Sequence, residues 1–199
     1  MADMEKLRKN LEANGFQTSC FDTPQEAAAY LNGQLDGETI GFGGSMTVKE
    51  LGLFDTLTAH NTCLWHWTPD APASSAEAAA APVYICSVNG VAETGELINI
   101  DGACNRVSAT LFGKKKVYFI VGENKIAPDY DAALWRARNI AAPLNARRLN
   151  KKTPCAQGEL KCHDCGSPER ICRGLVVLWK KPTGVEQAEV VLVRQALGY

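Results

Sequence analysis

The chain has 199 residues, 46% of them hydrophobic and 22% charged, and its 21 Lys and Arg against 22 Asp and Glu give a formal net charge of −1. That composition can fill the core of one domain and excludes global disorder, while near-neutrality removes the basic footprint of a nucleic-acid binder. No apolar run is long enough to span a membrane, and the charged opening MADMEKLRKNLEANG lacks the apolar stretch of a secretory signal, so a cytoplasmic protein is expected.

Met4, Leu7 and Leu11, at spacings of three and four, predict an amphipathic helix closed near Gly15. Thr23-Pro24-Gln25-Glu26 is a capping box with proline in the first turn, opening a second helix through Leu31. A short strand over 39–42 runs into Gly43-Gly44-Ser45, and Ser45 is placed to cap a helix over 46–59. Residues 62–67 predict another strand. The Ala-, Pro- and Ser-rich stretch 68–82 can hold a helix capped by Ser74 or Ser75, with a tip that is either lid-like or a plain surface loop.

Strands are predicted over 83–88 and, around the Thr94-Gly95 turn, within 91–100; a short helix follows over 105–112. KVYFIV at 116–121 is the clearest buried strand, with Tyr118 and Phe119 in the core. A long helix over 129–149 is interrupted by Pro143, and Trp135 and Arg136 are expected on its amphipathic face. Strands over 175–179 and 189–193 close the chain. The hairpin-length KPTGVEQ between them predicts that part of the sheet is antiparallel. Strands otherwise alternate with helices, which predicts a layered α/β fold around a mainly parallel sheet.

Ile40-Gly41-Phe42-Gly43-Gly44-Ser45-Met46-Thr47 reads as strand, glycine turn and helix start, where exposed amides can attract a phosphate or carboxylate. The equal alternative is a tight turn that binds nothing. There is no Walker A sequence and no full G-x-G-x-x-G, so no nucleotide cofactor is assigned. Glu93-Thr94-Gly95-Glu96, Asp101-Gly102 and Asn105-Arg106 are polar turns, ordinarily no more than that. In open α/β sheets, however, such turns can face a crevice at the carboxyl ends of the strands. His60 and His66 are isolated and read as packing or surface residues.

Together these stretches resemble the LUD domain, the lactate-utilisation family of the NagB/RpiA/CoA-transferase-like fold group. The resemblance lies in IGFGGSMTVKELGL (40–53), SVNGVAETGELINIDGACNRVSA (87–109) and VGENKIAPDYDAALWRARNIAAPLNARRL (121–149), with TPCAQGELKCHDCGSPERICR (153–173) similar to the tail of short, stand-alone members. It implies a three-layer α/β/α fold, a single domain over 1–199, and a role in oxidising lactate or a related organic acid beside iron–sulfur partner proteins. It also implies an anionic small-molecule ligand in a cleft formed by Gly41, Gly43, Gly44, Ser45, Thr94, Gly95, Asp101, Asn105 and Lys125. Glu93, similar in kind to the glutamate nucleophile of class I CoA transferases, is the candidate catalytic residue. The alternatives are a stand-alone acyl-CoA or sugar-phosphate enzyme using Glu93, and a non-catalytic metabolite-binding module. Homo-oligomerisation is left open.

Of eight cysteines, Cys20, Cys63, Cys86 and Cys104 are scattered through apolar stretches and read as core or near-core residues. Cys155, Cys162, Cys165 and Cys172 are arranged C-x6-C-x2-C-x6-C, and four thiolates suit either structural zinc or an iron–sulfur cluster. Pro154, Gly158, Gly166 and Pro168 break regular structure there, so the segment needs a staple, and nearby Arg and Lys residues would offset thiolate charge. A reduced, cysteine-rich loop is the competing expectation.

Overall fold

The structure, a computed structural model, describes residues 3–68 and 72–199. Its strands in chain order are β1 (Gln17–Phe21), β2 (Thr39–Phe42), β3 (Thr62–Trp65), β4 (Val83–Ser87) and β5 (Gly90–Ala92), then β6 (Leu97–Asp101), β7 (Lys114–Gly122), β8 (Ile126–Ala127), β9 (Gly174–Leu178) and β10 (Val185–Val193). Six form an all-parallel central sheet in the order β1-β10-β7-β4-β2-β3. Because a parallel sheet is covered on both faces, its inner strands are nearly continuous apolar runs. In β7, Val117, Phe119 and Val121 belong to one core, and Tyr118 and Ile120 to the other.

Helices α1 (Met4–Ala13), α2 (Pro24–Gln34), α3 (Met46–Glu50) and α4 (Leu53–Thr58) supply much of the cover. Leu31, Val48, Leu53 and Leu57 fill the core on the Tyr118 side, whereas Leu7 and Leu11 of α1 pack on the Phe119 side. There a second sheet in the order β8-β5-β6-β9 adds Val91, Leu97 and Leu178. The far face of that sheet packs Ala92 and Ile98 against Ala133 and Ala137. The architecture is three-layer α/β/α with an added small sheet, and no helix among the described residues is long and apolar enough to cross a membrane.

Several local expectations hold. Thr23 and Glu26 form the reciprocal capping box of α2, and Ser45 caps α3 by accepting from Val48 N at 3.3 Å. Ser74 caps α5 (Ser75–Ala80); the expected lid-like tip falls partly on 69–71, outside the described residues. Others differ. The helix expected over 46–59 breaks at Gly52, whose φ is +63°. β9 and β10 are not paired with each other: β9 joins β6 antiparallel in the small sheet, and β10 lies parallel between β1 and β7. The hairpin-length connection thus changes sheets.

After α6 (Asn105–Ala109) and β7, the long helix begins as α7 (Tyr130–Arg136), widens into a π turn at Ala137–Ala141 and continues as α8 (Ala142–Arg148). Pro143 has no N–H to give, and the wider turn, in which Ala142 N bonds Ala137 O, carries the helix past it. Arg148 is thereby kept on the same rod as Arg136. The short α9 (Pro154–Gln157) is the last helix before β9.

Candidate functional site

Six strands running the same way deliver their carboxyl-end residues to one rim. Gly44 and Ser45 follow β2, His66 and Trp67 follow β3, Ser87 ends β4, and Lys125 follows β7. With Thr47, Asn89 and Tyr199 they line a cleft of about 340 Å³. Its other walls are Asp101, Asn105 and Arg106 from the β6–α6 turn, Asn145 and Arg148 of α8, and Ile171.

Lys125 lies at the base, only 3% exposed. Its Nζ donates to Thr47 Oγ1 at 2.7 Å, Ser87 Oγ at 2.9 Å and Val88 O at 3.1 Å. Thr47 Oγ1 itself donates to Leu197 O at 3.1 Å, and Ser87 Oγ to Ile120 O at 2.6 Å. Each hydroxyl has one proton, already directed elsewhere, so both accept from Lys125. Three acceptors require three N–H donors, which only the ammonium supplies. Burial, with the positive charges of Arg136 and Arg106, works against that form and lowers the pKa to about 7. Among the described residues no carboxylate pairs with Lys125. The base of the cleft is therefore a buried cation with no carboxylate in ion-pair contact among the described residues; Glu50 offsets its charge only from a distance.

The surrounding groups are held firmly. Arg106 donates to Ser87 O at 3.0 Å, Ile100 O at 2.9 Å, Asn89 Oδ1 at 3.2 Å and also Asn99 Oδ1. Asp101 stands 3.8 Å from it and accepts from Cys104 N and Val107 N at the start of α6. A Cβ at Gly43 would come 3.1 Å from Arg106 Cγ, so glycine lets that side chain pass. Arg136 is buried and donates to Asn124 O at 2.7 Å and to Asn89 O. Arg148 donates to Tyr199 Oη at 2.6 Å and lies 4.8 Å over the Trp67 ring. His66 Nδ1 is buried with no partner among the described residues, and burial lowers its pKa, so the ring stands neutral. Among the lining residues Lys125, Arg106 and Arg148 face one carboxylate, Asp101.

Of the residues singled out in the sequence, the structure brings Gly44, Ser45, Asp101, Asn105 and Lys125 to the cleft. Gly41 and Gly43 lie behind it, where a Cβ on Gly41 would fall 1.8 Å from Ala78 O. Glu93, Thr94 and Gly95 are not brought there. The Glu93 carboxylate accepts from Asp3 N at 2.8 Å and pairs with Lys6 at 3.2 Å, and its carbonyl accepts from Asn10. Thr94 bonds Glu96, and Gly95 packs against Asn10 and Asn14. The β5–β6 turn belongs to the second sheet and is covered by α1. Sequence reasoning gave no site role to Thr47, Ser87, Arg136, Arg148 or Tyr199; Thr47, inside the glycine-turn motif, and Ser87, at the end of an apolar strand, carried a signal.

Cys155, Cys162, Cys165 and Cys172 line one cavity of about 30 Å³, with Arg138, Thr153, His163, Asp164 and Arg170. All eight cysteines are free thiols. Cys86 is buried and Cys20, Cys63 and Cys104 are half-buried, as expected of near-core residues.

A three-layer α/β/α fold with a cationic cleft at the carboxyl rim of a parallel sheet defines the class. The LUD domain family model matches residues 4–193, and the chain belongs to that family. A crystal structure of a DUF162 family protein from Deinococcus radiodurans superposes with a TM-score of 0.57, covering 96% of this chain and 95% of that one at 13% identity. That likeness is one of fold. Comparison with curated proteins returns no match.

Proposed function

We propose that the chain binds a small organic anion in the cleft above Lys125 and serves the utilisation of lactate or a related organic acid, alongside iron–sulfur partner proteins that carry the electrons. The observation behind this reading is the Lys125 ammonium, three hydrogen bonds deep and, among the described residues, without a carboxylate in ion-pair contact. A buried unpaired charge is costly, and an arriving anion relieves that cost. Arg148, reaching in from α8, offers guanidinium protons of the kind that grip a carboxylate or phosphate. The cleft volume of about 340 Å³ suits a small metabolite. Lactate itself is supported by family membership alone.

The test is a thermal-shift and calorimetric panel of lactate, pyruvate, phosphate and ribose 5-phosphate against the whole chain. Saturable stabilisation by at least one of them is expected, weakened by Arg148→Ala. No binding by any member of the panel would overturn the reading.

A further inference from the structure

The segment 153–173 has almost no core of its own, since Ala156 is its one buried hydrophobic residue. Arginines hold it instead. Arg147 donates to Ala156 O and Gly158 O, and Arg170 to Cys165 O at 2.8 Å and Cys172 O at 2.9 Å. Within Cys162-His163-Asp164-Cys165, Asp164 takes a φ of +44° and its amide donates to Cys162 Sγ at 3.4 Å. Arg138 donates to the same sulfur at 3.5 Å, and with Arg170 it brackets the Asp164 carboxylate, each at 3.2 Å. A sulfur that accepts from an amide and a guanidinium is placed to act as a thiolate.

All four cysteines face one cavity of about 30 Å³. That is room for a single ion. The C-x6-C-x2-C-x6-C spacing also departs from both ferredoxin patterns. Among the described residues no group of three or more His, Cys, Asp or Glu side chains stands, as placed, where it could hold a metal ion. Coordination would therefore pull the sulfurs inward, and Ile171, next to Cys172, would follow. Ile171 and Ala142 line both this cavity and the cleft.

We propose that Cys155, Cys162, Cys165 and Cys172 bind one Zn²⁺ as four thiolates and that this ion fixes the Ile171 wall of the cleft. Each thiol releases its proton to solvent as it binds, and Arg138 and Arg170 offset the negative charge of the four-thiolate centre. The wall belongs to the cleft proposed above as an anion site, but neither readout below requires the anion to bind.

The whole chain, purified reduced, is analysed for metal and titrated anaerobically with Co²⁺. One zinc per chain is expected, and one Co²⁺ giving the visible bands of a tetrahedral thiolate site, displaced by Zn²⁺. Cys162→Ser and Cys165→Ser should each weaken zinc binding at least tenfold, and Cys63→Ser should not. If those variants fail to fold, the Co²⁺ titration of the unaltered chain still decides. Amide exchange over 168–173 should slow when Zn²⁺ is added. Stoichiometric iron with sulfide, absence of any stoichiometric metal, or unchanged exchange at 168–173 in the zinc-loaded chain would each overturn the proposal.

Discussion

Replacing Lys125 with methionine removes the buried charge and keeps an unbranched apolar stem of similar length. An unfolded lysine titrates near pH ~10.4, whereas Lys125 in the fold titrates at about 7. Below pH 7 both states hold the proton and Lys125 adds no slope to stability. Between the two values the unfolded chain holds a proton that the folded chain does not, so wild-type stability rises with pH. The rise approaches about 1.4 kcal/mol per pH unit once Lys125 is deprotonated, or roughly 2 kcal/mol between pH 7 and pH 9. Lys125→Met lacks this contribution, and other titrating groups cancel when the two proteins are compared. Urea unfolding at pH 6, 7, 8 and 9 should give wild-type and variant curves that run parallel up to pH 7 and diverge above it, the wild type gaining on the variant. Parallel curves across the whole range would refute the assignment of a depressed lysine to this position.

Further consequences follow from the same contacts. Anion binding should take up a proton near pH 8, because a counter-charge raises the Lys125 pKa from about 7; calorimetry in buffers of different ionisation enthalpy measures this, and affinity should fall as pH climbs from 7 to 9. Glu93→Ala should cost about 1 kcal/mol in urea unfolding by unfastening the start of α1, with phosphate and pyruvate binding unchanged. Gly41→Ala should cost at least about 3 kcal/mol, since the added carbon falls 1.8 Å from Ala78 O; soluble expression and thermal unfolding report it. Arg106→Leu removes the donor that joins Ser87 O, Asn89, Asn99 and Ile100 O, and should cost about 3–5 kcal/mol in urea unfolding.

Much of the fold was legible because its signals are local. A capping box at Thr23, a serine cap at Ser45 and apolar runs such as KVYFIV are short patterns, and the structure keeps each of them. β1 was not read: QTSCF mixes polar and apolar residues and becomes a strand by pairing with β10, far along the chain. The final two strands form where their apolar runs place them, but a short connection states proximity and says nothing of which sheet each strand joins.

The cleft was legible in the residues that turn signals mark, Gly44, Ser45, Asp101 and Asn105. Lys125 came from the family resemblance; residue by residue it looks like a solvated loop lysine, and burial by other segments makes it otherwise. Arg136 read as part of an amphipathic face because a helix pattern does not show which polar groups wait beneath it. Its acceptors, Asn89 O and Asn124 O, are backbone atoms of two distant loops. Glu93 drew attention through a three-residue similarity, and the second sheet turns that loop towards α1.

The central claim is that the buried ammonium of Lys125 is an anion's partner. Calorimetric titration of pyruvate and of phosphate into the wild type and Lys125→Met at pH 6.5 tests it most directly. Loss of one charge-assisted hydrogen bond, about 1.5–3 kcal/mol, predicts saturable wild-type binding that weakens by roughly 10- to 150-fold in the variant. Equal affinity in the two proteins would contradict it.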